Sequence, residues 1–259
     1  MPRTSQPGRT VSSRLLELLF SFGPDSPDLS MAELTRMTGI SHATVRRLLM
    51  ELVDVGALER REDGRFTIGL RLWQLGTLAP RTEFLRTLAQ PFMEDLYAAL
   101  HQHVQLAVLE GDEAVIIERL SSPYAVELVS QVGGRLPLHC SGVGKVLLAH
   151  GGEELVDTVL TSRLRRHTSR TLVDAAVLRR EIAACRRTGT ASVRSELTEG
   201  ADSVATRIID GEGRVVAALS VVVRTGSIRH HAALPTVVAS GLGLSRMLGW
   251  RPGVRVRTR

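Results

Sequence analysis

Residues 30–52 constrain this chain more than any other stretch. They read Ser-Met-Ala-Glu-Leu-Thr-Arg-Met-Thr-Gly-Ile-Ser-His-Ala-Thr-Val-Arg-Arg-Leu-Leu-Met-Glu-Leu. Ser30 and Glu33 stand at capping-box spacing and open a helix. Gly39 tolerates positive φ and ends it. Ser41 is placed to cap a second helix two residues later. Two short helices joined so tightly make a helix-turn-helix, whose common use is to set the second helix in the major groove of DNA. In that second helix Val45, Leu48, Leu49 and Leu52 recur at i, i+3, i+4 and i+7, so they face a core. His42, Ala43, Arg46 and Arg47 fall on the other side, with Ser41 and Thr44 at its start. Two guanidiniums there suit phosphate oxygens or the O6/N7 edge of guanine. The same residues also fit the solvated basic face of an ordinary helical hairpin.

The next residues favour DNA. Between 56 and 68 the pair Asp63-Gly64 is a tight-turn signal joining two short strands. A hairpin directly after a recognition helix is the wing of a winged helix. Arg60, Arg61 and Arg65 cluster at its tip and flanks, within reach of phosphates or the minor groove. Upstream, Val11, Leu15, Leu18 and Leu19 repeat at helical spacing and supply a first helix. Residues 1–9 are polar, carry Arg3 and Arg9, and read as a disordered basic arm.

Composition excludes several classes. A length of 259 residues allows one large or two modest domains, and a hydrophobic fraction of 43% suffices for packed cores. The longest apolar runs, such as 215–223, are too short to span a bilayer. The polar start lacks a secretory leader pattern, which predicts a cytoplasmic, nucleoid-associated protein. Two cysteines, Cys140 and Cys185, do not suggest a disulfide framework. No His/Cys spacing resembles a zinc site, so no metal and no cofactor is expected. His101-Gln102-His103 and His230-His231 read as surface residues. The net charge of +6 is distributed unexpectedly: residues 1–80 hold ten arginines against nine acidic residues, a net of +1. Placement of arginines, not bulk charge, must therefore carry any DNA contact.

Residues 70–81 read as a linker helix, with Leu72, Trp73 and Leu75 apolar, broken at Ala79-Pro80. A helix at 82–100 follows, with Leu85, Leu88, Phe92, Leu96 and Ala99 on one face. Pro91 inside it predicts a kink or a division in two. Strands are expected at 104–109, 114–120 and 125–130, helices at 142–149, 153–160 and 174–188, strands at 190–194, 203–210 and 214–223, and a last helix at 231–248. Neighbouring strands joined by short turns imply an antiparallel sheet with helices packed on it. The effector-binding and oligomerisation domain would be 82–250, after a DNA-binding domain at 10–69, with a disordered tail at 251–259.

One motif in the second domain invites a ligand. Residues 136–145 leave a strand-like stretch and enter a helix, and Ser141-Gly142-Val143-Gly144 puts exposed backbone N–H groups at the helix N-terminus. Such an end binds anions without a positive side chain, and glycine permits close approach. Gly144-Lys145 mimics the end of a nucleotide P-loop. That reading fails because His139 occupies the first glycine position and Val146 replaces the magnesium-binding Ser/Thr. A tight strand-to-helix turn with no ligand stays open. Cys140, beside this site, reads as a small packed core residue rather than a redox-sensitive one.

With helix-turn-helix, wing, linker helix and α/β domain in this order, the chain resembles the IclR family of bacterial transcriptional regulators. The motifs that carry the resemblance are Gly39-Ile40-Ser41-His42-Ala43-Thr44-Val45-Arg46-Arg47-Leu48-Leu49, Gly64-Arg65-Phe66-Thr67-Ile68-Gly69, the run from Arg135 through His139-Cys140 to Lys145, residues 172–182, and Gly213-Arg214-Val215-Val216-Ala217-Ala218-Leu219-Ser220. It implies a winged helix-turn-helix followed by a GAF/PAS-like effector domain, in a homodimer or homotetramer. The implied effector pocket is walled by Leu128 and Leu136, with amide donors from Gly142 and Val143 and polar partners from Ser203 and Ser220. Val193 and Val222 stand where the family often has polar residues, and Arg207 where it often has proline. Fewer polar groups favour a bulkier, aromatic or extended organic acid over a tiny oxoacid.

The function expected is therefore a transcription factor, not an enzyme. It would bind a double-stranded DNA operator with an affinity set by a small organic acid, without a membrane. Two rivals remain. One is a DNA-binding protein with an enzymatic C-terminal domain built on His139, Cys140, Glu196 or Asp202. The other is a constitutive regulator with an empty sensor.

Overall fold

The computed structural model describes residues 10–122, 125–126, 130–226 and 229–251, without the side chains of 80, 81 and 229–232. The chain divides into two compact units, Met1–Glu83 and Phe84–Arg259. The expected arm and most of the expected tail lie outside the described residues, as does Leu128.

The first unit begins with α1 (Val11–Leu19), whose N-cap Thr10 accepts from the Ser13 N–H at 3.0 Å. β1 (Asp28–Leu29) precedes α2 (Met31–Thr38). The capping box is present: Ser30 N–H donates to Glu33 Oε2 at 2.8 Å and Glu33 N–H to Ser30 Oγ at 3.3 Å. Gly39 follows with φ of 64°. α3 (His42–Asp54) buries Val45, Leu48, Leu49 and Leu52. Ser41 occupies its N-cap position but makes no capping bond; its hydroxyl pairs instead with Thr44 Oγ1 at 2.9 Å. The expected cap is thus corrected to a side-chain pair, two hydroxyls satisfying each other. β2 (Leu58–Arg60) and β3 (Phe66–Ile68) form the wing, and β1 adds to β3, giving the antiparallel order β1-β3-β2. Leu18, Leu34, Leu49, Leu58 and Phe66 sit in one core. α4 (Leu70–Gly76) ends this run and buries none of its residues.

α5 (Pro80–Leu100) leads into the second unit. Pro91 neither divides nor ends it. Pro91 and Thr87, whose carbonyl loses its usual i+4 donor, are both exposed, so water can satisfy that carbonyl while Leu85, Ala89, Met93, Leu96 and Leu100 hold the buried stripe. Six antiparallel strands follow: β4 (His103–Glu110), β5 (Glu113–Leu120), β6 (Arg135–Pro137), then, after α6 (Gly142–His150), α7 (Glu153–Thr161) and α8 (Ala175–Thr188), β7 (Thr190–Arg194), β8 (Ala201–Ile209) and β9 (Val215–Arg224). Their order is β6-β5-β4-β9-β8-β7. α9 (Arg229–Met247) closes the fold. Side chains of α6, α7 and α8 pack with Ala107, Ile116, Ala205 and Ala218 in one core. Side chains of α5 and α9 pack with Leu106, Val204, Leu219 and Val221 in a second. Alternate residues of the same strands enter the two cores, as a sheet covered on both faces requires.

Two sheet expectations change. The third early strand is β6 at Arg135–Pro137, paired with β5. Of the expected strand at 125–130, the described residues 125, 126 and 130 carry no strand pairing. Apolar composition alone had suggested it, and apolar runs also serve as covers over a core. Among the described residues no helix is long and apolar enough to cross a membrane.

The helix-turn-helix turn yields a prediction. A Cβ at Gly39 would meet nothing within 4 Å, so Gly39→Ala should carry only the left-handed backbone cost, about 1–2 kcal/mol. Urea titration should show the loss in the first unit's transition; an unchanged midpoint would contradict the role given to this turn.

Candidate functional site

α3 presents the face its sequence pattern implies. Ser41, His42, Ala43, Arg46 and Arg47 are exposed, and Thr44 is half-buried. Arg46 makes no ion pair among the described residues. Arg47 pairs with Glu51 one turn on, at 3.1 Å between two exposed side chains, a link weak enough to exchange for a phosphate.

The wing arginines divide. Arg60 is exposed and unpaired among the described residues. Arg61 is exposed, with Asp28 and Asp63 each at 3.4 Å. Arg65 points to other work: its Nε pairs with Asp28, and its Nη2 donates to the Asp28 carbonyl at 2.9 Å and reaches Glu33 Oε2 at 3.0 Å. The Asp28 side chain holds its guanidinium pKa above the usual value, and the capping bonds from Ser30 hold Glu33 below its own. Arg65 thus ties β3 to β1 and to the capped start of α2.

In the second unit, β6 turns into α6 through Ser141. That hydroxyl accepts from Gly144 N–H at 3.1 Å and donates to Pro137 O at 2.8 Å. The sequence suggested exposed amides at Gly142 and Val143; both residues are instead buried, under cover rather than open to bulk water. The start of α6 lies directly on the sheet. A Cβ at Gly142 would stand 2.7 Å from Ser203 Oγ and 3.4 Å from the Ala205 Cβ, so any larger residue would have to displace the Ser203 hydroxyl. Register then orders the floor: Ser203 on β8 faces Val222 on β9, and Ala205 faces Ser220. Ser220 is buried, as is Leu136 on β6. Gly142 and Ser203 are therefore brought together, with Ser220 on the same floor.

Three polar residues of this floor were not foreseen. His103 and Gln105 on β4 face Val222 and Ser220, and Arg119 on β5 faces Gln105. His103, expected at the surface, is 4% exposed, and Gln102 is buried too; only His101 of that trio is exposed. Gln105 Nε2 donates to Ser130 Oγ at 2.6 Å, and Arg119 Nη1 donates to the Ser130 carbonyl. His103 Nε2 lies 2.6 Å from Val126 O. Burial lowers the pKa of His103 and of Arg119. A signal was available: the alternation His103, Gln105, Ala107 marks one strand face. A lone polar pair in a strand otherwise reads as an exposed edge.

Lys145 is the chain's only lysine, and it is 2% exposed. Its Nζ reaches Glu181 Oε2 on α8 at 2.5 Å and Glu196 Oε1 beyond β7 at 2.7 Å. Burial raises the Glu196 carboxyl, and Lys145 works against that rise. Thr171 Oγ1 donates to Glu196 O at 2.6 Å and Thr168 Oγ1 to Ser195 O at 2.7 Å. Of the groups considered for catalysis, Asp202 accepts from Thr225 Oγ1 at 2.6 Å and His139 Nε2 lies 3.0 Å from Arg165 O. The Cys140 thiol is pushed up to about 12, chiefly by burial, and Cys185 likewise. Such a thiol is a packed group and a poor nucleophile. His139, Cys140 and His167 do place three potential metal-donor atoms within 4.8 Å of one another, a grouping that sequence spacing hides because His167 comes from a distant loop.

A winged helix that exposes arginines along α3, followed by an α/β domain with buried polar residues on one sheet face, defines a DNA-binding regulator with a sensor domain. Family models agree: residues 13–62 match the IclR helix-turn-helix domain, and residues 81–240 match the bacterial transcriptional regulator IclR C-terminal domain. The chain belongs to the IclR family of bacterial transcriptional regulators. It is 30% identical to the HTH-type transcriptional regulator XynR of Escherichia coli strain K12 over 243 residues, covering 92% of this chain and 96% of XynR. It is 31% identical to the Pca regulon regulatory protein of Pseudomonas putida over 246 residues, covering 92% and 84% of the two chains. Among solved structures, an IclR homolog from Microbacterium hydrocarbonoxydans complexed with 4-hydroxybenzoate superposes with a TM-score of 0.86. It is 33% identical, over 92% of this chain and 99% of that one.

Two predictions follow from the buried charges. Lys145→Met leaves Glu196 without its cation and should cost roughly 3–5 kcal/mol in chemical denaturation. Lys145→Met/Glu196→Leu should recover most of it; no recovery would mean that the pair is not the cause. His150, at the end of α6, has its pKa lowered by burial to about 4 from 6.5. Below pH 6.5 the unfolded chain takes up this proton first, so stability falls as pH drops from 6.5 to about 4 and then levels, by on the order of 2 kcal/mol for this group. His150→Gln should flatten that part of the stability–pH curve.

Proposed function

We propose that this regulator reads an operator with α3 and the wing, under control of an organic acid bound at the start of α6. Ser41, His42, Ala43, Thr44, Arg46 and Arg47 form the groove-facing set. Arg60 and Arg61 reach the flanking backbone, and Arg65 acts mainly by positioning the wing. The observation that carries the DNA half is an exposed Arg46 on the face opposite Val45, Leu48, Leu49 and Leu52.

The effector half rests on the contact of Gly142 with Ser203. A helix N-terminus and a hydroxyl converge there, with the buried Val143 next in the helix and Ser220 on the neighbouring strand, a setting suited to a carboxylate. Leu136, on the edge strand β6, is assigned to the pocket by family resemblance. We assign Leu128 to the same pocket by family resemblance. Val193 and Val222 make part of the surroundings apolar, which favours an aromatic or extended acid over a small oxoacid. The complex of the Microbacterium homolog with 4-hydroxybenzoate supports the same class. The domains would be 10–69, a linker at 70–81 and 82–250, in a cytoplasmic protein that binds its ligand without turning it over.

A homodimer or homotetramer is the working assembly. Support comes from Leu70, Trp73, Leu75 and Leu78, which are 60–73% exposed around α4, an apolar surface too large to leave wet. A dimer would set two recognition helices about 34 Å apart or a multiple of it.

Gel-shift titration on an operator selected from random DNA provides the test. Arg46→Ala should lower operator affinity at least tenfold and relax its base preference, whereas Arg60→Ala should weaken binding more evenly across sequences and reduce the salt slope. Calorimetry should show 4-hydroxybenzoate binding more tightly than glyoxylate or pyruvate. Unchanged affinity in both arginine variants would remove the DNA assignment, and tight binding of the small oxoacids alone would remove the effector class.

A further inference from the structure

We propose that the effector pocket is built for two anions, so that its ligand is an aromatic acid with a second carboxylate at the far end of the ring, received by Arg119. This rests on the reading of the α6 start as the site of the first carboxylate.

The register lays out the path. Ala205 on β8, Ser220 on β9, Gln105 on β4 and Arg119 on β5 face one another in one row across four adjacent strands. Gly142 stands over Ser203 and Ala205 at one end of that row. Three strand spacings of about 4.8 Å separate the two ends, roughly 14 Å. An arginine side chain spans about half of this, which leaves the length of one benzene ring with substituents at opposite ends. Ser220 and Gln105 take the two middle positions, and the small Ser220 is the residue that leaves room for a ring above the sheet.

The far end is a polar site that no carboxylate among the described residues neutralises. Arg119 forms no ion pair with any carboxylate among the described residues. Its Nη1 is taken by the neutral Ser130 carbonyl, and its Nε is buried with no hydrogen-bond partner. Glu118, its neighbour in sequence, pairs with Arg86 at 2.8 Å instead. Arg119 as a whole is half-buried, but its Nε is withdrawn from water. Leaving that N–H without an acceptor is costly, and a bidentate carboxylate is the natural complement of a guanidinium. Next to it, His103 is 4% exposed and its Nδ1 also lacks a partner. The Val126 carbonyl can only accept, so His103 Nε2 carries the hydrogen and Nδ1 is a bare lone pair, open to a ligand hydroxyl or a water. Gln105, 3% exposed, is fixed by Ser130. A core wall would not assemble three such groups on one strand pair; a recognition surface would.

Calorimetry on the full chain with benzene-1,4-dicarboxylate, 4-hydroxybenzoate and benzoate tests this. The dicarboxylate should bind at least tenfold more tightly than benzoate. Arg119→Met should erase that preference, lowering dicarboxylate affinity tenfold or more while changing benzoate less than threefold. Arg119→Lys should keep part of the preference, which guards against a folding artefact. Glu127, outside the described residues, is a carboxylate close in sequence to Ser130, so Glu127→Gln serves as control. Should the dicarboxylate preference emerge only in that variant, Arg119 is neutralised internally and the proposal falls. Benzoate binding with no dicarboxylate preference, or an equal loss of all three acids in Arg119→Met, overturns this inference alone. Failure of all three acids to bind overturns it together with the aromatic-acid reading beneath it.

Discussion

The buried contact of Lys145 with Glu196 fixes the sensor domain's geometry. A lysine that is 2% exposed cannot remain charged without close anions. It finds one on α8 and one beyond β7, so three separate segments must meet at one atom. Because Lys145 lies three residues after Gly142, the contact also fixes where α6 starts on the sheet. The glycine lets the helix backbone lie where a Cβ would come within 2.7 Å of the Ser203 Oγ. The same residues that imitate the end of a P-loop thus serve an unrelated purpose: the glycines allow contact with the sheet, and the lysine anchors the helix from behind.

Arginine plays different parts according to what surrounds it. Arg46 and Arg60 stand in solvent without carboxylates, so their charge is available to phosphate or base. Arg47 and Arg61 are shared with exposed acids, which high dielectric makes easy to leave. Arg65 is held by Asp28 and Glu33, and it links the wing to the capping box of α2. Arg119 is half-buried, and among the described residues its guanidinium is held by a neutral carbonyl. A near-neutral DNA-binding domain can bind DNA under these conditions, since what counts is which guanidiniums remain unpaired and where they stand.

Much of this was legible beforehand. The helix-turn-helix and its wing could be read because each rests on local rules: a capping box, an αL glycine, a helical apolar period and an Asp-Gly turn. The order of elements in the sensor domain followed from the same rules. The misreadings share a cause. Pro91 was judged by its own helix, yet the exposure of Thr87 and the buried stripe opposite decided the outcome. Ser41 was judged by its type, while Thr44 took its hydroxyl. His103, Gln105 and Arg119 become a site only through strand pairing between segments far apart in sequence, and His167 joins His139 and Cys140 through a loop. Register between distant strands is a property of the whole sheet, and no local pattern announces it.

The polarity of the cavity floor bears on how a signal could arise. A ligand alters DNA affinity only through different free energies of interaction with the protein's alternative arrangements. Among the described residues, the Arg119 Nε and the His103 Nδ1 are buried without a hydrogen-bond partner, and both belong to the same face of the sheet. Under the proposed reading, an acid that completes those bonds would stabilise whichever arrangement brings α6, β4 and β5 together, by RT ln(1 + [L]/Kd). The Lys145 anchor, by contrast, is held by two carboxylates from separate segments, so it ties the start of α6 to α8 and to the residues after β7.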